Sequence, residues 1–152
     1  MSGVAVGYAV ARGGVPAARS FRRWVAAALA ATGTDPAVEL AIRIVDAQEG
    51  QALNLQYRSR DYATNVLSFP AMRFPGQPLQ QLGDLLICAP VVSREAAEQG
   101  KPVAAHYAHL TVHGVLHLLG HDHEDAATAE QMEALEIAIL ATLGLPNPYL
   151  ID

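Results

Sequence analysis

The sequence lacks the features that a secreted or membrane-inserted protein needs. It contains a single cysteine, Cys88, so no disulfide can form within the chain, and nothing indicates an oxidising compartment. No apolar run approaches the roughly 20 residues that span a bilayer, and the first residues have no basic segment of the kind that begins a signal peptide. Repeats and low-complexity tracts are also missing. These absences favour a cytoplasmic protein.

Charged residues are scarce as well, at 16%, whereas hydrophobic residues make up 51% of the 152 residues. This composition excludes a disordered chain, and the length suits one domain with an ordinary apolar core. We therefore expect a single domain over residues 1–152.

The net charge of −5 conceals an asymmetry between the two halves of the chain. Residues 1–81 hold eight arginines and five acidic residues, whereas residues 82–152 hold two basic and ten acidic ones. The first half can face an anionic ligand, although such an asymmetry also arises incidentally.

The hydrophobic pattern predicts four strands and five helices. Strands are expected over Val4–Val10, at a sheet edge, and over Val38–Val45, Thr64–Pro70 and Gly83–Cys88, the last two as neighbours. Helices are expected over Ala17–Ala31, from an Asp46 cap to Tyr57, over Ala89–Gln99 and Val103–Leu119, and from an Asp125 cap to Leu143. The expected class is α+β, with a small mixed four-stranded sheet packed with about five helices. On the last helix, the pattern assigns Glu130, Glu133 and Glu136 to the side opposite its Ala, Met and Leu residues.

Histidines are concentrated in one segment, and this clustering is the strongest signal in the sequence. All six lie between positions 106 and 123, four of them within H-G-V-L-H-L-L-G-H-D-H. His113 and His117 are four residues apart on a predicted helix, so their imidazoles share a face and can bind one cation. Gly120 then ends the helix and lets the chain turn back with a third ligand. The spacing, which is that of the metzincin zinc peptidases, favours His123 for this role, with His121 as the competitor.

Three imidazole ligands favour zinc, although nickel, copper and iron also accept this ligand type. The coordination position left open would hold a water molecule whose pKa the metal lowers toward neutrality, which makes it a nucleophile. Two other interpretations remain at this point. The histidines can be scattered helix and loop residues without a metal, or the metal can be structural, in which case His121 would serve as a fourth ligand.

The peptidase signature is incomplete in one respect. It places a glutamate, the general base, directly after the first histidine, and that position is Gly114 here. A peptidase would lack its proton acceptor.

Phosphodiester hydrolysis fits better, because it needs a metal and cations to offset charge on the phosphate. Arg58 and Arg60 are candidate cations, since the guanidinium group suits bidentate phosphate binding, and the alternative for each is an ordinary solvated or ion-paired side chain.

Three segments follow one another along the chain: Y-R-S-R-D-Y-A-T-N-V-L-S-F-P, then G-D-L-L-I, then H-G-V-L-H-L-L-G-H-D-H. In this order they resemble the bacterial YbeY family of rRNA maturation factors. The ordered set is much more specific than the histidine motif alone. The resemblance covers most of the chain, from about Leu40 to the last helix.

The resemblance implies a single-strand-specific endoribonuclease that acts at the 3′ end of 16S rRNA and in ribosome quality control. It implies one zinc ion per chain, with His113, His117 and His123 as ligands, and a functional role for Arg58. It also implies a cytoplasmic protein whose partners are single-stranded ribosomal RNA and the small ribosomal subunit with its proteins, and no DNA or membrane partner is expected. The alternatives kept open are a ribosome-assembly factor with a mainly structural zinc and a zinc peptidase-like hydrolase.

Overall fold

The segments with alternating apolar residues form one four-stranded sheet. The computed structural model describes residues 3–72, 75–121 and 125–150, and its strands are β1 (Gly3–Tyr8), β2 (Glu39–Val45), β3 (Val66–Pro70) and β4 (Gln81–Cys88). Their order in the sheet is β1-β2-β4-β3. β1 and β2 are parallel, as are β2 and β4, whereas β3 runs antiparallel to β4. The expected mixed sheet is confirmed, with β1 at one edge and β3, beside β4, at the other.

Five helices surround this sheet within the described ranges. They are α1 (Ala18–Ala31), α2 (Ala47–Arg58), α3 (Ala89–Gln99), α4 (Val103–Leu118) and α5 (Ala126–Thr142). The predicted caps are present, because the Asp46 carboxylate accepts a hydrogen bond from the Glu49 amide and that of Asp125 accepts one from the Thr128 amide. The α+β class is confirmed. No helix of the described ranges combines the length and apolar character needed to cross a membrane.

The two faces of the sheet bury different cores, because successive side chains of a strand point to opposite faces. Ile42 and Leu85 point to the main core, where they meet the buried residues of α1, α4 and α5. Leu86 and Leu67 point to a smaller core, which Leu53 of α2 partly covers. α4 and α2 therefore lie on opposite faces of the sheet, and this separation decides where the functional side chains stand.

One glycine is required where β3 meets β4. Gly83 has a φ of +140°, a region that residues with a side chain rarely adopt. A Cβ at this position would collide with the Phe69 carbonyl oxygen and come within 3.0 Å of Leu118 Cδ2. The absence of a side chain therefore lets the end of α4 lie directly against the β3–β4 pair.

Candidate active site

Four histidines form a row along α4. His106, His109, His113 and His117 follow the three- and four-residue spacing that places side chains on one helix face. Their ring centroids are 6.3, 6.2 and 4.6 Å apart in sequence order. The row begins at the buried His106, whose Nε2 lies 2.9 Å from Oε1 of the partly exposed Glu95, and ends near the carboxyl end of the helix.

The structure brings His113 and His117 together at this end of the row. Their Nε2 atoms lie 3.1 Å apart. Two nitrogens bound to one tetrahedral zinc at about 2.0–2.1 Å would lie about 3.3 Å apart. The observed distance is close to that of two ligands of one cation, and the proximity of the two rings agrees with their separation by four residues on one helix.

The chain turns back directly after α4. The Gly120 amide donates to the His117 carbonyl over 3.0 Å and the His121 amide donates to the Leu116 carbonyl over 3.0 Å, which is the Schellman pattern of hydrogen bonds. Gly120 has a φ of +98°, as this turn requires. His121 is partly exposed at the start of the returning segment, and His123 lies outside the described residues.

A buried glutamate lies behind His113. Glu136 of α5 is only 1% exposed, and its Oε1 lies 3.2 Å from His113 Nδ1 while its Oε2 lies 2.5 Å from His109 Nε2. The Tyr149 hydroxyl donates to both carboxylate oxygens over 3.0 Å. The carboxylate thus accepts hydrogen bonds from two histidines of α4 and from the carboxy-terminal segment.

The prediction that Glu136 shares the polar side of α5 with Glu130 and Glu133 is wrong. Glu130 and Glu133 are exposed, whereas Glu136 belongs to the buried stripe with Met132, Ile139 and Leu140. The sequence contained a signal for this, because positions 132, 136, 139 and 140 have the spacing of one helix face. An ionisable residue inside such a stripe indicates a polar partner on the opposing helix. Sequence reasoning also gave no role to His109 or Tyr149.

The electrostatics of Glu136 follow from these contacts. Burial alone would raise the pKa of the carboxyl group, but hydrogen bonds from His109 and His113 outweigh burial and hold the pKa at about 2. Burial and the neighbouring Glu136 carboxylate raise the pKa of Tyr149. The carboxylate is therefore ionised at neutral pH, and the tyrosine remains a hydrogen-bond donor.

The described residues contain a group that can hold a metal. Ligand atoms of His109, His113 and Glu136 all lie within 4.8 Å of one another. His113 belongs both to this group and to the pair with His117, and its two ring nitrogens face different partners. The histidine and carboxylate chemistry fits a metal such as zinc.

A cavity of about 230 Å³ opens beside His113. Met132, Glu133 and Glu136 of α5 line it together with His113, Ala129 and Tyr149. A larger groove of about 390 Å³ lies on the other side of the sheet, between Arg43, Leu53 and Tyr57. The smaller cavity is the one that belongs to the histidine site, since it alone of the two is lined by a histidine.

Arg58 stands apart from the histidines. It is exposed at the last residue of α2, on the opposite face of the sheet from α4. Within the described part of the chain, no salt bridge joins Arg58 or Arg60 to a carboxylate: Arg60 donates to the Tyr62 hydroxyl over 3.1 Å, and Asp61 accepts from Gln51 instead. The structure therefore does not bring Arg58 into contact with His113 or His117.

Known proteins resemble this chain over most of its length. Residues 15–144 match the family model described as Endoribonuclease YbeY. A protein of that name from Stenotrophomonas maltophilia strain K279a is 65% identical over 150 residues, which cover 96% of this chain and 92% of the relative. Another from Alkalilimnicola ehrlichii is 62% identical over 150 residues, 97% of this chain and 90% of the relative.

A solved structure shares the architecture at much lower identity. The solution structure of a protein from Thermotoga maritima aligns with a TM-score of 0.59 and 20% identity over 93% of this chain and 91% of that one. That likeness concerns the fold alone. The extent of the family match and the identity of the relatives show that the chain belongs to the YbeY endoribonuclease family, and the resemblance read from the three sequence segments is confirmed.

Proposed function

We propose that this protein is a zinc-dependent endoribonuclease specific for single-stranded RNA. One observation carries the proposal: a chain of the YbeY endoribonuclease family directs the Nε2 atoms of His113 and His117 at each other over 3.1 Å at the end of α4. The ligands are His113, His117 and His123, with one zinc ion per chain. The substrate is ribosomal RNA, and the protein acts in maturation of the 3′ end of 16S rRNA and in ribosome quality control. It does so in the cytoplasm, with the small ribosomal subunit and its proteins as partners.

The choice of ligands rests on which nitrogen of His113 carries the proton. Its Nδ1 faces the Glu136 carboxylate, which is an acceptor, so Nδ1 carries the proton and Nε2 keeps its lone pair. The lone pair of Nε2 points toward His117. This favours a centre built on the Nε2 side over one built from His109, His113 and Glu136.

A zinc ion bound there would polarise a phosphate oxygen and lower the pKa of a coordinated water molecule toward neutrality. The protein's own residues bind and orient the RNA. Arg58 is exposed and has no carboxylate partner among the described residues, so its guanidinium group is available to a phosphate. It contributes positive charge outside the histidine site.

Edge strand β3 lies between the two parts of the proposed site. α4 packs on one face of β3, and on the other face the Phe69 ring contacts that of Tyr57, the neighbour of Arg58, at a centroid distance of 5.4 Å. An extended single strand that passes around this edge reaches both the histidines and Arg58. A rigid duplex bends far less readily, which accounts for the proposed preference for single strands.

Metal removal tests the dependence on zinc. We expect chelation of the purified full-length protein to abolish cleavage of a single-stranded RNA, and one equivalent of zinc per chain to restore it. A duplex of the same sequence should remain intact throughout. Cleavage that persists in a chain shown by elemental measurement to be free of metal would contradict the proposal.

The proposed role of Arg58 is tested against a neighbouring arginine. We expect Arg58→Ala to lower kcat/KM on single-stranded RNA by about 10- to 100-fold, because one charge-assisted phosphate contact is lost. Arg60→Ala is the matched control: it removes the same charge two residues away, and we expect a change below about threefold because exposed charges are strongly screened. Equal losses in both variants would show that only the general positive charge matters.

A further inference from the structure

We propose that Glu136 is the positioning residue of the metal centre: its buried carboxylate fixes the proton of His113 on Nδ1, and so holds Nε2 as the metal-binding nitrogen. This inference rests on the proposed function, since it assumes a metal on the Nε2 side of His113. It makes the carboxylate a partner of a ligand rather than a ligand itself.

The contact between Glu136 and His113 has a defined direction. An ionised carboxylate can only accept hydrogen bonds, and Glu136 Oε1 lies 3.2 Å from His113 Nδ1. The Nδ1–H tautomer of His113 is therefore favoured, and the Nε2 lone pair is left to face His117. Carboxylates that bind the outer nitrogen of a ligating histidine fix its tautomer and orient its ring.

The other carboxylate oxygen of Glu136, Oε2, also accepts hydrogen bonds. His109 Nε2 lies 2.5 Å from Glu136 Oε2, and the Tyr149 hydroxyl donates to both oxygens. Three donors thus surround a carboxylate that is 1% exposed. They offset the cost of burying its charge, and they occupy the lone pairs that coordination to a metal would need. His109 and Tyr149 hold Glu136 in place for His113.

Tyr149 belongs to a segment that is itself attached to the rest of the protein. The carboxy-terminal segment is anchored by Lys101 Nζ, which donates to the Pro148 carbonyl over 2.7 Å. Its backbone is also tied locally, because the Tyr149 amide donates to Asn147 Oδ1 over 2.9 Å. The donor to Glu136 therefore comes from a segment that Lys101 holds near the start of α4, as expected of a supporting contact behind a metal site.

The test is the variant Glu136→Gln in the full-length chain, titrated with zinc in competition with a chromophoric chelator. A glutamine amide that turns its NH₂ toward Nδ1 favours the wrong tautomer of His113. We therefore expect zinc affinity to fall by about 10- to 100-fold, with binding of one ion per chain retained at saturating zinc. Nitrogen-detected NMR of the metal-free variant should show His113 shifting from the Nδ1–H toward the Nε2–H tautomer.

The chain offers a matched control in another carboxylate–histidine pair. Glu95→Gln of α3 alters the carboxylate that contacts His106. That pair contains neither His113 nor His117, and the zinc affinity of this variant should equal that of the wild type. Unchanged affinity and an unchanged His113 tautomer in Glu136→Gln would overturn the proposal. Complete loss of zinc in that variant, even at saturation, would also overturn it, because Glu136 would then be a ligand.

Two further measurements keep the result interpretable. If Glu136→Gln does not fold, NMR of the metal-free wild type decides: His113 in the Nε2–H form overturns the proposal, and the Nδ1–H form supports it. If the wild type binds no zinc, the proposed function fails, and the tautomer shift still decides independently whether Glu136 controls His113.

Discussion

His117→Ala is expected to abolish zinc binding and to reduce cleavage of single-stranded RNA by more than about 100-fold. The expected loss exceeds the 10- to 100-fold effects of residues that only support a ligand, because the variant removes one of three proposed ligands and disrupts the Nε2 pair with His113. Zinc content after dialysis, measured per chain, and initial cleavage rates provide the two measurements.

His109→Gln is the comparison that identifies the ligand set. Gln retains an N–H donor for Glu136 but removes the imidazole from the group of His109, His113 and Glu136. We expect this variant to keep one zinc ion per chain. The opposite pattern, with zinc lost from His109→Gln and retained by His117→Ala, would place the metal on the Nδ1 side of His113 and would contradict the proposed centre.

The order and type of the elements could be predicted because each depends on local patterns. The alternation of apolar residues along β2 places Leu40, Ile42 and Ile44 on one face whatever that face contacts. Asp46 and Asp125 cap helices through amides three residues away. Such signals lie within a few residues of each other and do not require knowledge of the tertiary structure.

The missed part of the site depends on contacts between distant segments. Glu136 is buried because His109 and His113, on another helix, and Tyr149, in the terminal segment, donate hydrogen bonds to it. Its charge led to an assignment on the polar side, and only these partners make burial favourable. The relation of Arg58 to the histidines is likewise set by the sheet, which places α2 and α4 on opposite faces.

The pair of His113 and His117 lies between these two cases. Their separation by four residues fixes their common face on any helix, so the proximity of the two rings was accessible to sequence reasoning. The nitrogen that each ring offers was not, because the tautomer depends on what Nδ1 contacts. The motif thus predicted which residues meet, and Glu136 indicates how the His113 ring is used.

Gly114→Glu, which would restore the peptidase signature, is expected to destabilise the fold by more than about 4 kcal/mol without producing peptidase activity. Gly114 is buried against β4, and a Cβ there would lie 2.6 Å from Leu85 Cδ2 and 3.1 Å from its Cδ1. Leu85 is itself only 1% exposed, so a glutamate would direct its charge into the apolar core rather than toward a substrate. Chemical denaturation followed by the fluorescence of Trp24 measures the loss.

Gly114→Ala separates the steric effect from the charge. The added methyl group overpacks the contact with Leu85 at a cost of about 1–3 kcal/mol, while alanine favours the helix over glycine by about 1 kcal/mol. We therefore expect a net destabilisation below about 2 kcal/mol, well short of the effect of Gly114→Glu. A Gly114→Glu protein with the stability of the wild type would show that this position opens to solvent. If Gly114→Glu is destabilised as expected, the fold has no room for a general base directly after His113. Proton transfer during RNA cleavage then involves groups elsewhere in the site.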